Sequence, residues 1–310
     1  MRYGDMITFG FSRAWKHKSL WLMGFFAAGV SAFDVSSVGH SETLLTIRDF
    51  FLANLPLLSL FVLLLMALAG SLIFLRFVSE GGLIDAAARL KNNEECRLGS
   101  SFYAGASRFW PLLGLGLLYF IVVVAYFMVL AATGVMAFLL NVMIGVLSLL
   151  LLLPLALAGL FVVEISYCLA QRMVVLNKGR VFDSIGDSFA LMTANLGPSL
   201  SFFVIYLAIM IAITIGMAMV LGFLAVPFVA IGIFNLWLAL ALGIPIGLII
   251  LYLINGYLGS ATNLMKTDFY FQIVERQSAK AGLPAGTGGP AMPPPSPLSP
   301  PMSPPTPENV

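Results

Sequence analysis

The residue with the clearest capacity for chemistry is Glu164, which directly follows an apolar stretch of the chain. A carboxylate at membrane depth can bind a cation or relay a proton, because ionisable groups in bilayers mark ion and proton pathways. The structural alternative is a boundary residue, one helical turn from water, that pairs with Arg172 or with a basic residue of a short amphipathic helix. The second candidate, Asn255, precedes Lys266 by eleven residues within another apolar stretch. It predicts either an interhelical hydrogen bond or a substrate contact.

The sequence lacks the residue combinations that metal binding, a disulfide, nucleophilic catalysis or phosphate binding would require. His17 lies in a basic segment and His40 in a loop, neither with partners at metal-ligand spacing. Cys96 and Cys168 form no CxxC motif, which favours two reduced thiols over a disulfide or a metal site. No nucleophile pairs with a base at membrane depth, and no Gly-rich phosphate loop follows a strand. We therefore expect no catalytic, cofactor-binding or metal-binding residues and, because the basic residues are scattered, no nucleic-acid surface.

The elements that must position these residues are predicted from the distribution of charge. Residues 109–163 and 188–265 contain no Asp, Glu, Lys, Arg or His, and 60% of the chain is hydrophobic. A bilayer penalises a central charge by roughly 2.5–3.5 kcal/mol, and about 20 apolar residues cross its hydrocarbon core. The sequence predicts an all-α polytopic membrane protein with six transmembrane helices. Their approximate bounds are 18–34, 52–77, 110–133, 138–163, 198–223 and 240–264.

The orientation follows from the basic residues. With six crossings, fifteen of the 16 Lys and Arg residues fall on one side and only Arg48 on the other, which predicts that both termini are cytoplasmic. A seventh crossing over 224–241 would move Lys266, Arg276 and Lys280 to the other side and weaken this sorting. We prefer six crossings, with 224–241 as an outer interfacial or re-entrant segment broken at Pro227, although its apolar composition also allows a span.

Self-similarity divides the chain into three predicted repeats, at about 3–78, 98–163 and 184–264. Shifts of 95 and then 87 residues align several identical residues. The first shift places Gly10, Arg13 and Trp15 on Gly105, Arg108 and Trp110, and the second places Gly99 and Phe102 on Gly186 and Phe189. Each unit begins with a short amphipathic helix and continues as a transmembrane hairpin. Units of one orientation are parallel repeats, which suggests pseudo-threefold packing.

The short amphipathic helices, here called elbows, are expected to lie in the membrane interface. Pro111 and Pro198 suit the first turn of the helix that follows an elbow, where no amide donor is lost. The elbows either set the depth and tilt of each crossing or form a cytoplasmic ring for a partner or for lipid headgroups. The candidate interface residues on their polar faces are Arg13, Arg108 and Asp187. Gly256 and Ser260, four residues apart, predict a close contact between helices.

The C-terminal segment 279–310 differs in composition from the rest of the chain. It contains eleven of the seventeen prolines, with Gly, Ser and Ala between them. We predict a disordered Pro-rich cytoplasmic tail that follows a transmembrane domain of residues 1–278. Its PxxP spacings, such as Pro297 to Pro300, could dock in a partner's groove; a solvated tail without a receptor is the alternative.

Two short motifs carry a resemblance to a known family. They are Ala14-Trp15 with Leu20–Gly24, and the segment Gly256–Ala261. The chain resembles uncharacterised bacterial six-helix integral membrane proteins similar to the membrane region of glycerophosphoryl diester phosphodiesterases. The resemblance implies a bacterial inner membrane, and the catalytic phosphodiesterase domain is absent, so no hydrolase activity is implied.

The function expected from these observations is non-enzymatic. Buried charge is scarce while interfacial helices recur, which favours an accessory or scaffold protein that organises partners or membrane lipids at the cytoplasmic face. Protein partners would bind the elbows or the tail, and the sequence leaves the oligomeric state open. The alternative is a transporter or channel for a lipid-like or small apolar solute, with Glu164 and Asn255 beside its path.

Overall fold

The computed structural model describes residues 1–28 and 55–280, and the regular structure in these ranges is entirely α-helical. Short and long helices alternate along the chain. The nine described helices are α1 Tyr3–Lys16, α2 Leu20–Ala28, α3 Leu55–Lys91, α4 Leu98–Ser107, α5 Phe109–Leu140, α6 Val142–Leu176, α7 Val181–Ala194, α8 Leu196–Phe234 and α9 Leu236–Lys280.

Five of these helices are long and apolar enough to cross a membrane. The candidate spans are Pro56–Lys91, Phe109–Leu140, Val142–Leu176, Leu196–Gly232 and Ala241–Lys280. Their most apolar stretches bury almost nothing against the rest of the protein, as expected for surfaces that lipid covers. The chain is thus a helical multi-pass membrane protein. The first predicted crossing, 18–34, is described only in part: α2 covers Leu20–Ala28, and residues 29–34 lie outside the described residues.

Single asparagines join the long helices into two hairpins. Asn141 separates α5 from α6, and its side chain accepts a hydrogen bond of 2.7 Å from the Met143 amide. Asn235 separates α8 from α9 and accepts one of 3.2 Å from the Leu238 amide. In both turns the asparagine side chain satisfies an amide at the start of the returning helix, where no helical carbonyl is available.

The expected break at Pro227 is wrong. Helix α8 continues through Pro227 to Phe234, so the segment 224–241 consists of the end of α8, Asn235 and the start of α9. In an apolar environment a broken helix would leave amides and carbonyls without water, which favours continuation of the helix through a single proline. The chain reverses at the asparagine instead.

Beside the apolar spans lies a packed region that we call the base. It consists of the short helices, the carboxyl-terminal parts of α3, α6 and α9, and the first turns of α5 and α8. Elbow α1 packs on α9, α4 packs on α3, and α7 packs on α6. Three buried clusters hold the base together; in one of them Phe202 stacks on Phe269 with ring centroids 3.8 Å apart. Pro111 and Pro198 lie in the first turns of α5 and α8, as predicted.

Candidate functional site

Glu164 forms an ion pair with Lys266 at the junction of the spans and the base. The Lys266 Nζ donates to Glu164 Oε1 at 2.6 Å and lies 4.4 Å from the centre of the Tyr206 ring. The Lys266 side chain is 18% exposed and that of Glu164 35% exposed. The pair connects α6 to α9 and contacts α8. Glu164 therefore pairs with a cation, but the predicted partner, Arg172 or a basic residue of an elbow, is wrong, because the partner is Lys266 of α9.

Arg172, two turns further along α6, is fully buried. Its Nη1 donates to the Cys168 carbonyl at 2.9 Å and to Gln171 Oε1 at 3.0 Å, and its Nη2 donates to Asn263 Oδ1 at 3.3 Å. No carboxylate of the described residues lies within ion-pair distance of it, and its Nε has no acceptor there. A buried guanidinium held by amide and carbonyl oxygens ties α6 to α9, and breaking such contacts is costly.

A second ion pair joins α3 to α9 within the base. Lys91 Nζ donates to Asp268 Oδ1 at 2.6 Å, and Gln272 Nε2 donates to Asp268 Oδ2 at 2.8 Å. The Asp268 side chain is 8% exposed, so this carboxylate needs both donors to compensate for its lost hydration. Asn177 donates to the Tyr270 hydroxyl at 3.2 Å and adds a link from α6 to α9. The polar groups of the base thus connect the long helices to one another.

Asn255 lies apart from this cluster. It is half-buried on α9, about 16 Å from Lys266 along the helix axis at 1.5 Å per residue. Its side chain makes no hydrogen bond within the part of the chain that the structure describes, so the predicted interhelical bond is not formed there. The two candidate polar positions, Glu164 and Asn255, do not form one site.

The three candidate interface residues lie on different elbows and are half-buried. Arg13 Nη2 donates to Asn93 Oδ1 at 3.5 Å. Arg108 occupies the junction of α4 and α5, and its amide donates to the Gly105 carbonyl at 3.0 Å. Asp187 is in electrostatic contact with Tyr270 of α9. Of the three, Arg13 connects its elbow to the turn after α3, whereas the Arg108 amide closes the end of α4 itself.

Helix α2 is clamped on α9 through backbone atoms. A Cβ on Gly24 would lie 2.6 Å from the Ser260 amide nitrogen, and Gly256 and Gly259 of α9 face the backbone of α2 equally closely. The Ser260 hydroxyl donates to the Leu20 carbonyl at 2.7 Å. The close helix contact predicted from Gly256 and Ser260 is confirmed, and α2 is its partner.

The cysteines and histidines form no recognisable centre in the described ranges. Cys96 and Cys168 are free thiols, as predicted. Cys96 lies in the turn between α3 and α4, 3.9 Å from the Ser101 hydroxyl, and burial raises the pKa of its thiol. Among residues 1–28 and 55–280 no group of three or more His, Cys, Asp or Glu side chains could hold a metal ion. His40 lies outside these ranges.

The sequence analysis identified Glu164 but not its ion pair with Lys266 on another helix. It also did not identify the hydrogen bond between Arg172 and Asn263. One signal could have found the ion pair. Glu164 and Lys266 are each the first charge after a long uncharged stretch, and two hairpins of one orientation return both residues to the same end of the bundle. The contacts of Arg172 with Gln171 and Asn263 have no such signal, because they depend on helix rotation.

Comparison with known proteins finds no matching protein-family model, no matching curated protein and no matching solved structure. The resemblance based on Ala14–Gly24 and Gly256–Ala261 therefore stays a prediction. The described residues form a helical protein with five candidate membrane-spanning helices.

Proposed function

We propose that the protein is a non-enzymatic accessory or scaffold protein of a bacterial inner membrane, with its base on the cytoplasmic side, where it organises partner proteins or lipids. One observation carries the proposal. Each elbow packs one face into the base and leaves a large aromatic side chain exposed: Trp15 is 59% exposed, Tyr103 77% and Phe182 75%. Exposed aromatic rings at the ends of membrane helices suit headgroups or a membrane-bound partner.

The packing of the elbows supports the proposed three repeats. Elbow α1 of the first unit packs on α9, the last helix of the third unit. Elbow α4 of the second unit packs on α3 of the first, and α7 of the third on α6 of the second. This cyclic order is what pseudo-threefold packing of three units requires. The equivalent positions Leu20, Leu115 and Phe202 are all buried, which also fits.

The proposed orientation rests on charge. The basic residues of the described chain lie in the base or in its connecting turns, and the tips of the hairpins at Asn141 and Asn235 carry none. Basic residues are retained on the cytoplasmic side of membrane proteins. The six predicted crossings put both termini on that side together with the Pro-rich tail; of the first of them, 18–34, residues 29–34 lie outside the described residues.

The scaffold proposal is tested by partner capture. Affinity-tagged protein is purified in mild detergent, and co-purifying proteins and lipids are identified by mass spectrometry. The variants Arg13→Ala, Arg108→Ala and Asp187→Ala should lower capture of a specific companion while the yield of inserted protein stays near that of the parent. Met143→Ala, at an exposed hairpin tip, is the control. If every companion survives all three substitutions, the elbows do not organise it.

The second candidate is a carrier or channel for a lipid-like or small apolar solute. The observation in its favour is the partly exposed Glu164–Lys266 pair, which lies where the apolar surfaces of α6, α8 and α9 end. Flux through reconstituted liposomes that disappears on Glu164→Ala would support transport. The control is Asp85→Ala, which removes an acid that pairs with Arg89 at 2.8 Å on α3 alone.

A further inference from the structure

The turn between α1 and α2, residues 13–21, is called the first corner. It concentrates cations: Arg13, Lys16 and Lys18 lie within six positions, and Lys16 and Lys18 are exposed. In the part of the chain that the structure describes, no acidic side chain lies within ion-pair distance of Lys16 or Lys18, while the exposed Arg2 and Arg97 each have such a partner. The first corner therefore carries unneutralised positive charge.

This corner is held rigidly. Trp21 Nε1 donates to the Ala14 carbonyl at 2.8 Å, which connects α2 back to α1. The Tyr257 hydroxyl of α9 donates to the Phe11 carbonyl at 3.3 Å, and Ser260 donates to the Leu20 carbonyl. Because α1 and α2 are both fixed to α9, the cations project from a platform that loses little conformational freedom when a ligand binds.

An exposed aromatic side chain accompanies the cations. Trp15 packs against Trp21 and Tyr257, with ring centroids 5.8 and 5.6 Å away, and is still 59% exposed. A tryptophan with one supported face and one free face prefers the boundary between headgroups and acyl chains. The first corner thus presents a cationic surface and an interfacial ring side by side.

The other two corners differ. The junction of α4 and α5 has Arg108 and Trp110 but no further cation between Arg108 and Glu164. At the junction of α7 and α8, Asn195 occupies the position of Arg13 and Arg108 in the proposed repeats. There Lys280 Nζ donates to the Ala194 carbonyl at 3.2 Å and to Asn195 Oδ1 at 3.1 Å, so the cation is engaged within the protein. Among the three corners, the first therefore concentrates the most cations without an acidic partner in the described residues, whereas the second has Arg108 alone.

We infer that the first corner binds the headgroup of an anionic phospholipid, with Lys16, Lys18 and Arg13 on the phosphate and Trp15 at the acyl boundary. The inference rests on the proposed function, since it needs the base to face the anionic cytoplasmic leaflet. Charge complementarity selects the lipid, because each Lys or Arg near an anionic membrane surface strengthens binding by about fivefold. The surface is a lipid site and not a protein interface.

The test uses the quenching of tryptophan fluorescence by brominated lipid. The full chain, with Trp110→Phe and Trp237→Phe so that Trp15 and Trp21 report, is reconstituted into phosphatidylcholine vesicles with a small fixed fraction of phosphatidylglycerol. Bromine is placed on the acyl chains of one lipid or the other. We expect brominated phosphatidylglycerol to quench well beyond its bulk mole fraction, and K16Q/K18Q to lower its relative affinity by about tenfold or more.

Two matched variants complete the test. R2Q/R97Q removes two exposed cations that already have acidic partners and should leave the quenching unchanged, and K16R/K18R should retain it. Equal quenching by the two brominated lipids at equal mole fraction overturns the inference, as does an equal loss in R2Q/R97Q. Near-ultraviolet circular dichroism checks that the corner stays folded. Capture of protein companions is measured on the same preparations. A parent protein that captures companions without selectivity for phosphatidylglycerol overturns only the lipid site and leaves the proposed function standing.

Discussion

The two halves of α6 show the difference between the spans and the base most directly. Before Glu164 the helix exposes its leucines, and Leu150 is 69% exposed. After Glu164, every residue from Ile165 to Val175 is buried except Tyr167, which is half-buried. One helix thus changes from a surface that lipid must cover to a core that the protein covers itself. Stability that belongs to the folded protein alone should therefore reside in the base.

The largest expected effect comes from removing a core side chain of the base. Leu169→Ala should lower the free energy of unfolding by about 2–5 kcal/mol, because it removes buried methyl groups and leaves a cavity. Leu150→Ala on the same helix should have almost no effect in detergent. Thermal unfolding followed by circular dichroism measures both. Equal losses would mean that the two halves of α6 do not differ as described.

A smaller effect is expected from the clamp between α2 and α9. Gly24→Ala places a Cβ against the backbone of Gly256 and Ser260, and overpacking of this kind costs about 1–3 kcal/mol. Gly216→Ala, in α8, meets nothing within 4 Å and should not destabilise the protein. The melting temperatures of the two variants in the same detergent give the comparison. An unchanged Gly24→Ala protein would contradict the clamp.

The ion pair at the boundary should contribute less than the core. Lys266→Met leaves Glu164 without its partner and should cost about 1–2 kcal/mol, less than a fully buried pair because both side chains are partly exposed. The double variant Lys266→Met with Glu164→Leu should recover most of that loss. A double-mutant cycle of unfolding free energies measures the coupling. Additive losses would show that the two charges act independently.

The smallest expected effect is a difference in thiol reactivity with no change in stability. Because burial raises the pKa of Cys96, its reactive thiolate is scarcer at neutral pH than that of a free cysteine. Alkylation by iodoacetamide should be slow at pH 7 and accelerate as the pH rises toward the raised pKa. Cys168, fully buried in the base, should be labelled only in denaturant. Mass spectrometry of the labelled peptides measures both rates, and rapid labelling of native Cys168 would contradict a closed base.

Several features of the fold could be predicted because they depend on local properties. The uncharged stretches predicted helices long enough to cross a bilayer, and Pro111 and Pro198 predicted helix starts. The pattern of Gly256 and Ser260 predicted a close contact but not that α2 provides it. The helix break predicted at Pro227 is wrong. It assumed that proline interrupts a helix as it does in water, whereas an apolar environment favours an unbroken helix.

The candidate site was predictable only in part, because polar pairing depends on helix rotation and on contacts between distant segments. Glu164 was recognised, yet Lys266 is 102 positions away in the chain. Asn255 looked equally suited to a hydrogen bond and makes none within the described residues. Arg13, Arg108 and Asp187 were expected on open polar faces and are half-buried.

The sequence by itself determined that this protein resides in a membrane as helices, since transfer of uncharged segments into hydrocarbon and the pairing of their amides depend on composition and length. Only the tertiary structure decided which charges meet, where the chain reverses between α8 and α9, and that the base has its own core. Those outcomes depend on how helices pack side by side. Packing energies arise from the fit of side chains that lie far apart in the chain.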